Sequence, residues 1–339
     1  MNPKLKNIIR FSVFLGIGIF FIWIFLRNLT ADQKQEILNS MGNANYWWIA
    51  LAIPLGVLSH FVRAMRWKML IETMGYKPRN SNMFFAVMIG YFANLALPRL
   101  GEVSRCTILT KYENVPFQKS FGTVITERVL DMMVFILLFF INLALQAELL
   151  SGYIDEKIYK PLQAKLNLSY DLSGAFSIIM ISFIVVFGIV FLVFRKKIMV
   201  NKFYKKIRIM AYGFIEGLKS LVKVRNQWLF FFYTFSIWAL YLVMAYIVFF
   251  SIPASSGVGI DAGLAVLVFG TVGFMVVQGG IGIYPAIVAE TLVLYGVASE
   301  QGYALGWLIW SSQNLSIVIV GILSLILLPF LNNRKNEKA

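Results

Sequence analysis

The stretch Asn94-Leu-Ala-Leu-Pro-Arg-Leu-Gly-Glu-Val-Ser-Arg105 places Arg99, Glu102 and Arg105 within seven positions at the end of an apolar run. Arginine presents a planar fork of donors that suits phosphate. A carboxylate beside it either holds the guanidinium in place or exchanges a proton. The plainer alternative is an interfacial cluster whose arginines snorkel to lipid headgroups. Asn94, before the break, is placed to hydrogen-bond a freed backbone carbonyl. A second set is Glu127, Arg128 and Asp131. Glu127 and Asp131 are i and i+4 on one helix face, and Arg128 with Asp131 is an i, i+3 pair. They read either as a salt-bridge network tying a span to the break, or as a buried carboxylate able to take up a proton. Arg63 and Arg66 share one face and serve as charge anchors or as a headgroup entry site. A fourth set is Gln278-Gly-Gly-Ile-Gly-Ile-Tyr-Pro285. Gly279, Gly280 and Gly282 either permit close helix packing or expose backbone N–H and C=O groups to a substrate, with Gln278 and Tyr284 beside them. His60 reads as a polar contact between helices before a proton relay. Ser311, Ser312, Gln313 and Asn314 form a polar band that caps backbone groups or lines a path.

Other chemistries are excluded by what the chain lacks. One cysteine, Cys106, and one histidine leave no intrachain disulfide and no Cys/His metal cluster. There is no G-x-x-x-x-G-K-S/T, no H-E-x-x-H and no G-x-S-x-G. No cofactor and no metal are expected. The longest cytoplasmic segment, residues 195–225, is 31 residues long, too short for a soluble catalytic domain, and no enzyme is expected.

The elements that carry these residues follow from hydropathy. The 339 residues are 59% hydrophobic, well above a soluble domain, and several apolar runs approach the roughly 20 residues that cross a bilayer. The class is an all-α polytopic integral membrane protein. Full spans are expected at 11–26, 46–65, 121–146, 175–194, 228–250 and 303–328. The run at 83–97 is about 15 residues, short of a crossing, and stops at Pro98. The runs at 262–277 and 284–297 are likewise short and flank the glycine motif. Each pair reads as a re-entrant broken hairpin, tolerated at that depth only inside protein or beside a polar cavity. The expectation is about six full spans plus two hairpins, about eight hydrophobic segments in all. Residues 27–45 are expected to be an outside loop.

The element order is span, span, hairpin, span, repeated from the opposite face. This inverted repeat has halves at 1–147 and 174–330 within one transmembrane domain, 1–339. Paired breaks in inverted halves point to a transporter site near the midplane. The net charge of +15 reflects positive-inside bias and anionic lipid rather than nucleic acid. Only Arg27, Lys34, Lys157, Lys160 and Lys165 of the 31 basic residues fall outside in this arrangement. Both termini are therefore cytoplasmic, and the first span is expected to remain uncleaved. Residues 195–226 form a basic cytoplasmic segment whose amphipathic pattern suits the inner leaflet.

Arg63-Ala-Met-Arg-Trp67, the 94–105 stretch, Thr126-Glu-Arg-Val-Leu-Asp131 and the Gly-Gly-Ile-Gly282 break, in that order, resemble the lysylphosphatidylglycerol synthase transmembrane-region family. This is the flippase-like membrane domain of the multiple peptide resistance factor type. The second motif departs from the family pattern at Gln278 and Pro285. The resemblance implies a multi-pass protein of a bacterial cytoplasmic (inner) membrane that moves an anionic or aminoacylated phospholipid between leaflets. Family synthases carry a following soluble transferase domain, which is not expected here. The binding set implied is Arg63, Arg66, Asn94, Arg99, Glu102, Arg105, Glu127, Arg128, Asp131, Gln278, Gly279, Gly280, Gly282 and Tyr284. Membrane phospholipids are the expected partners. A homo-oligomer and a separate lipid-modifying enzyme are compatible with the chain. The alternatives are an enzyme or accessory subunit acting on a lipid-linked sugar or polyprenyl phosphate, and a scaffold for a lipid synthase.

Overall fold

A computed structural model describes residues 3–27, 29–97, 99–147 and 224–336. The expected span at 175–194, the loop before it and residues 195–223 of the basic segment lie outside the described residues. By internal packing the chain divides into one unit of residues 1–142 with 219–339 and another of 143–218. All the site geometry below belongs to the first.

The described residues form ten α-helices and no strand. They are α1 (Pro3–Arg27), α2 (Ala31–Gly42), α3 (Tyr46–Glu72), α4 (Asn80–Ala96), α5 (Leu100–Glu113), α6 (Phe117–Leu145), α7 (Gln227–Ile247), α8 (Ile260–Val276), α9 (Ile283–Val293) and α10 (Ser299–Asn336). Four of them have the length and apolar composition to cross a membrane: α3, α6, α7 with its following turn, and α10. They coincide with four of the expected spans. The expected first span lies on α1. The chain is a multi-pass membrane protein.

Two differences from the sequence reading have local causes. The loop at 27–45 contains a helix, α2. Thr30 and Gln33 close a capping box: Thr30 Oγ accepts from the Gln33 N–H, and Gln33 Oε1 accepts from the Thr30 N–H. Four orphan amides at a helix start make such a box worth having even where the helix is polar. The second difference is α3, which continues to Glu72 instead of ending near 65. Arg63, Arg66 and Trp67 are buried on it, so interior partners sustain the helix where hydropathy alone ends it.

Two cores hold the helices. One joins α3, α7, α8, α9 and α10 through residues such as Ala245, Val266, Val288 and Leu305, all essentially inaccessible. Gly306 of α10 lies against Pro285 of α9, and Gly302 lies against Ala289. Small residues at these crossings let the backbones approach. The other core joins α3 to α4, α5 and α6 through Trp67, Met83, Cys106 and Val124.

Candidate functional site

The first break lies between α4 and α5. Leu97 turns extended, and Arg99 adopts φ 67°, ψ 0° in the left-handed region before α5 begins. Asn94 Oδ1 accepts the freed N–H of Gly101 at 2.7 Å. The expectation gave Asn94 a freed carbonyl, and the contact made here by its amide oxygen is to a freed N–H. A helix start frees donors, not acceptors, so the amide oxygen is the useful end there. The two arms then run side by side. A Cβ on Gly90 would come within 3.0 Å of the Gly101 carbonyl, and one on Gly101 would collide with the Gly90 carbonyl and with Asn94. At the far end of the arms, the Arg79 N–H donates to Glu113 at 3.2 Å, and the Asn82 amide donates to the same carboxylate. The start of α4 and the end of α5 are thus tied together, which makes this pair a closed hairpin.

Behind it, α3 and α6 are joined by ions. Arg63 bonds Glu127 at 3.0 Å and also pairs with Asp131. Arg66 reaches Asp131 at 2.7 Å and Glu127 at 3.3 Å. Arg105, from α5, adds a contact to the second oxygen of Glu127 at 2.9 Å and lies over the Trp67 ring at 4.6 Å. The i, i+4 carboxylates do share one face, and three helices meet on it. Arg66 is 0% and Glu127 1% exposed. At that burial each charge depends on its partners, and removing one leaves its neighbours uncompensated. Arg63, Arg66 and Arg105 therefore point at carboxylates of their own chain. Three guanidiniums share two carboxylates, and the aromatic face of Trp67 takes part of the excess.

Arg128, one residue from Glu127, points the other way. It donates to Glu102 at 2.8 Å, yet its side chain remains 46% exposed. It forms part of the wall of a cavity of about 340 Å³. The first hairpin contributes Tyr91, Asn94 and Leu95 to the lining, and the second broken pair contributes Thr271, Phe274, Gly279 and Tyr284. His60 from α3, Tyr241 from α7, and Gln313, Asn314 and Ser316 from α10 complete the polar part.

The second break, between α8 and α9, is a turn at Gln278–Gly280 in which Gly279 has φ 71°, followed by Gly282 at φ 74°. The indole N–H of Trp310 on α10 donates to the Gly279 carbonyl at 2.6 Å and holds the turn at the cavity. Gly282 instead packs on the backbone of Gly18 in α1. Gly279 thus lies at the cavity and Gly282 in a helix crossing. Gly280 is buried beside Phe274 and Tyr284. Gln278 has its backbone in the turn, and its side chain lies outside what the structure describes. Arg99 is exposed and has no ion pair among the described residues.

The residues singled out from sequence therefore separate, with Gly282 against α1. Arg128, Asn94, Gly279, Tyr284, His60, Gln313 and Asn314 meet at the cavity. Arg63, Arg66, Arg105, Glu127 and Asp131 form the ionic joint behind it, with Glu102 between the two. Arg99 stands apart. Tyr91, Tyr241, Thr271 and Trp310 were not singled out. Tyr91 had a readable signal, three positions before Asn94 and so on the same helical face. Tyr241 lay in an uninterrupted apolar span with nothing to mark it.

The family model described as lysylphosphatidylglycerol synthase TM region matches residues 8–321. The UPF0104 membrane protein MJ1595 of Methanocaldococcus jannaschii is 32% identical over 136 residues, 39% of this chain and 39% of that protein. The UPF0104 membrane protein MJ1078 of the same organism is 27% identical over 252 residues, 73% of this chain and 99% of that one. The glycosyltransferase AglD of Haloferax volcanii is 24% identical over 134 residues, 39% of this chain and 21% of that protein. The chain thus spans well under half the length of MJ1595 and of AglD. No solved structure matches it.

Proposed function

The chain belongs to the lysylphosphatidylglycerol synthase transmembrane-region family, and from that membership we propose that it is a lipid translocase, moving an anionic or aminoacylated phospholipid between the leaflets of a cell membrane without making or breaking a covalent bond. In this reading α4–α5 is a re-entrant hairpin entered from the cytoplasm and α8–α9 one entered from outside. Together with about six full spans they make an inverted repeat with cytoplasmic termini. The phospholipid is the only partner the mechanism needs.

The observation that carries the reading is a cavity walled by both broken pairs, with the half-exposed Arg128 in its lining. Breaks at corresponding positions that meet on one space holding polar side chains are what a transporter site requires. The volume, about 340 Å³, is near the low end of small-molecule pockets, about 300–1,000 Å³. It has room for a headgroup, while acyl chains stay in lipid. Arg128 supplies charge for a phosphate. Glu102 keeps that guanidinium aimed, and the ionic joint of α3, α5 and α6 keeps the hairpin against α6. The exposed Arg99 is assigned to attracting the headgroup toward the hairpin.

Leaflet transfer of fluorescent phosphatidylglycerol in proteoliposomes tests this. Transfer is expected to exceed protein-free vesicles, and Arg128→Ala is expected to remove the excess while the purified variant stays monodisperse. Transfer equal to protein-free vesicles, from protein shown to be folded, would end the translocase reading.

A further inference from the structure

Between the arms of the first hairpin lies a second, smaller chamber of about 10 Å³. Val87 of α4, Glu102 and Arg105 of α5, and Arg128 of α6 are in its wall. It adjoins the larger cavity, since Tyr91, Asn94 and Arg128 line both. Two buried polar atoms of this wall have no hydrogen-bond partner among the described residues, and they are of opposite kinds. Glu102 Oε2 is an acceptor and the Arg105 Nε–H is a donor. Arg105 itself is 4% exposed.

The two side chains are i and i+3 on α5, so they are neighbours on one helix face. They do not close on each other because each is fastened elsewhere. Glu102 Oε1 accepts from Arg128 at 2.8 Å and from the Asn94 amide at 3.5 Å. Arg105 Nη2 is drawn to Glu127 at 2.9 Å, and its guanidinium lies over the Trp67 ring. A buried polar atom left without a partner is costly, the more so when it carries charge. Two opposite orphans on one small polar chamber are the setting of a structural water, which needs about 10–15 Å³ and two to four polar partners.

We propose that this chamber binds one water, which donates to Glu102 Oε2 and accepts from the Arg105 Nε–H, and that the water joins the cavity wall to the ionic joint. It closes a ring. Glu127 and Arg128 are consecutive on α6, and each pairs with one of the two α5 residues, Glu127 with Arg105 and Arg128 with Glu102. The water links those two on the α5 side. A bridge of this kind is nearly as favourable in enthalpy as a direct hydrogen bond. Arg128 is thereby tied through Glu102, the water and Arg105 to Glu127, so its aim depends on the joint as well as on Glu102.

Radiolytic hydroxyl-radical labelling of the purified full-length chain tests the site, because a buried side chain is oxidised when it touches a bound water. Val87, Val115 and Val124 are the same residue type and are all essentially inaccessible. Of the three, Val87 lines the chamber. Val87 is expected to take up label several-fold more than the other two, and equal labelling would overturn the inference. So would an experimental structure that shows Glu102 Oε2 bonded directly to Arg105 Nε with no density between them. The link to the cavity wall has its own readout. Val87→Ile puts an added methyl group into the chamber, and Val124→Ile adds the same group elsewhere in the same core. Leaflet transfer of fluorescent phosphatidylglycerol is expected to fall several-fold in the first variant relative to the second. Equal transfer by the two would overturn the link. Only this last readout rests on the translocase reading: no transfer by the parent chain would end that reading, and the labelling would still decide the water site.

Discussion

Glu127 and Arg128 are consecutive, and their environments differ completely. Glu127 is 1% exposed and contacted by Arg63, Arg66 and Arg105, while Arg128 faces the cavity with one ion-pair partner among the described residues, Glu102. One helix turns these two side chains about 100° apart, which is enough to give one a structural duty and the other a place in the cavity wall. Glu127→Gln preserves shape and removes the charge. Three guanidiniums are then left with one carboxylate, and the expected cost is about 3–5 kcal/mol, as for other broken buried pairs. Chemical unfolding of the purified protein in detergent measures it. An unchanged midpoint would show that the joint does not hold the helices together. Sequence alone identified all of these ions and their shared face, because charge inside an apolar run is conspicuous. It paired Arg128 with Asp131, whereas Arg128 bonds Glu102 and Asp131 takes Arg63 and Arg66. Pairing depends on α3, α5 and α6 meeting, and no local pattern encodes that.

The broken pairs were legible as elements for the same reason: an apolar run too short to cross, then proline or glycine. The structure places the first pair at Asn80–Ala96 and Leu100–Glu113, against an expected 83–110. It places the second at Ile260–Val276 and Ile283–Val293, against 262–277 and 284–297. What fastens the arms was not legible. The Gly90–Gly101 approach depends on two glycines on different helices, and neither stands out in its own segment. Gly101→Ala puts a Cβ against the Gly90 carbonyl and the Asn94 amide. Both are fixed, since Asn94 is holding the Gly101 N–H. The expected destabilisation is about 1–3 kcal/mol, typical of overpacking, read as a lower thermal midpoint. A midpoint at or above that of the parent would mean the hairpin arms have slack. Trp310 went unnoticed for a related reason. An interior tryptophan reads as apolar bulk, and only the Gly279 carbonyl 31 residues earlier shows that its N–H has a task.

At the scale of the whole molecule, the membrane-spanning class and the positions of four spans were readable from hydropathy alone, and α2 was not, because a polar helix carries no such signal. Orientation rests on the distribution of lysine and arginine. It predicts that Asn43, after α2, faces outward and that Lys77, between α3 and α4, faces the cytoplasm. Cys106, the single cysteine of the chain, is fully buried. A cysteine placed at either position is therefore the accessible thiol. A membrane-impermeant maleimide is expected to label Asn43→Cys in intact cells and Lys77→Cys only after the membrane is opened. The opposite pattern would invert the topology and the assignment of which hairpin opens to which side.

The countercharge in the cavity belongs to the scaffold. Arg128 sits on α6 and is paired with Glu102 on α5, so in the proposed translocation neither travels with a headgroup. A lipid that passes between leaflets as a monoanion then carries its own charge across the bilayer, uncompensated by any moving part of the protein. Transport of that kind is electrogenic. An interior-negative membrane drives it outward with about 2.3 kcal/mol per 100 mV, a bias of nearly fifty-fold in leaflet composition that requires neither ATP nor a second ion.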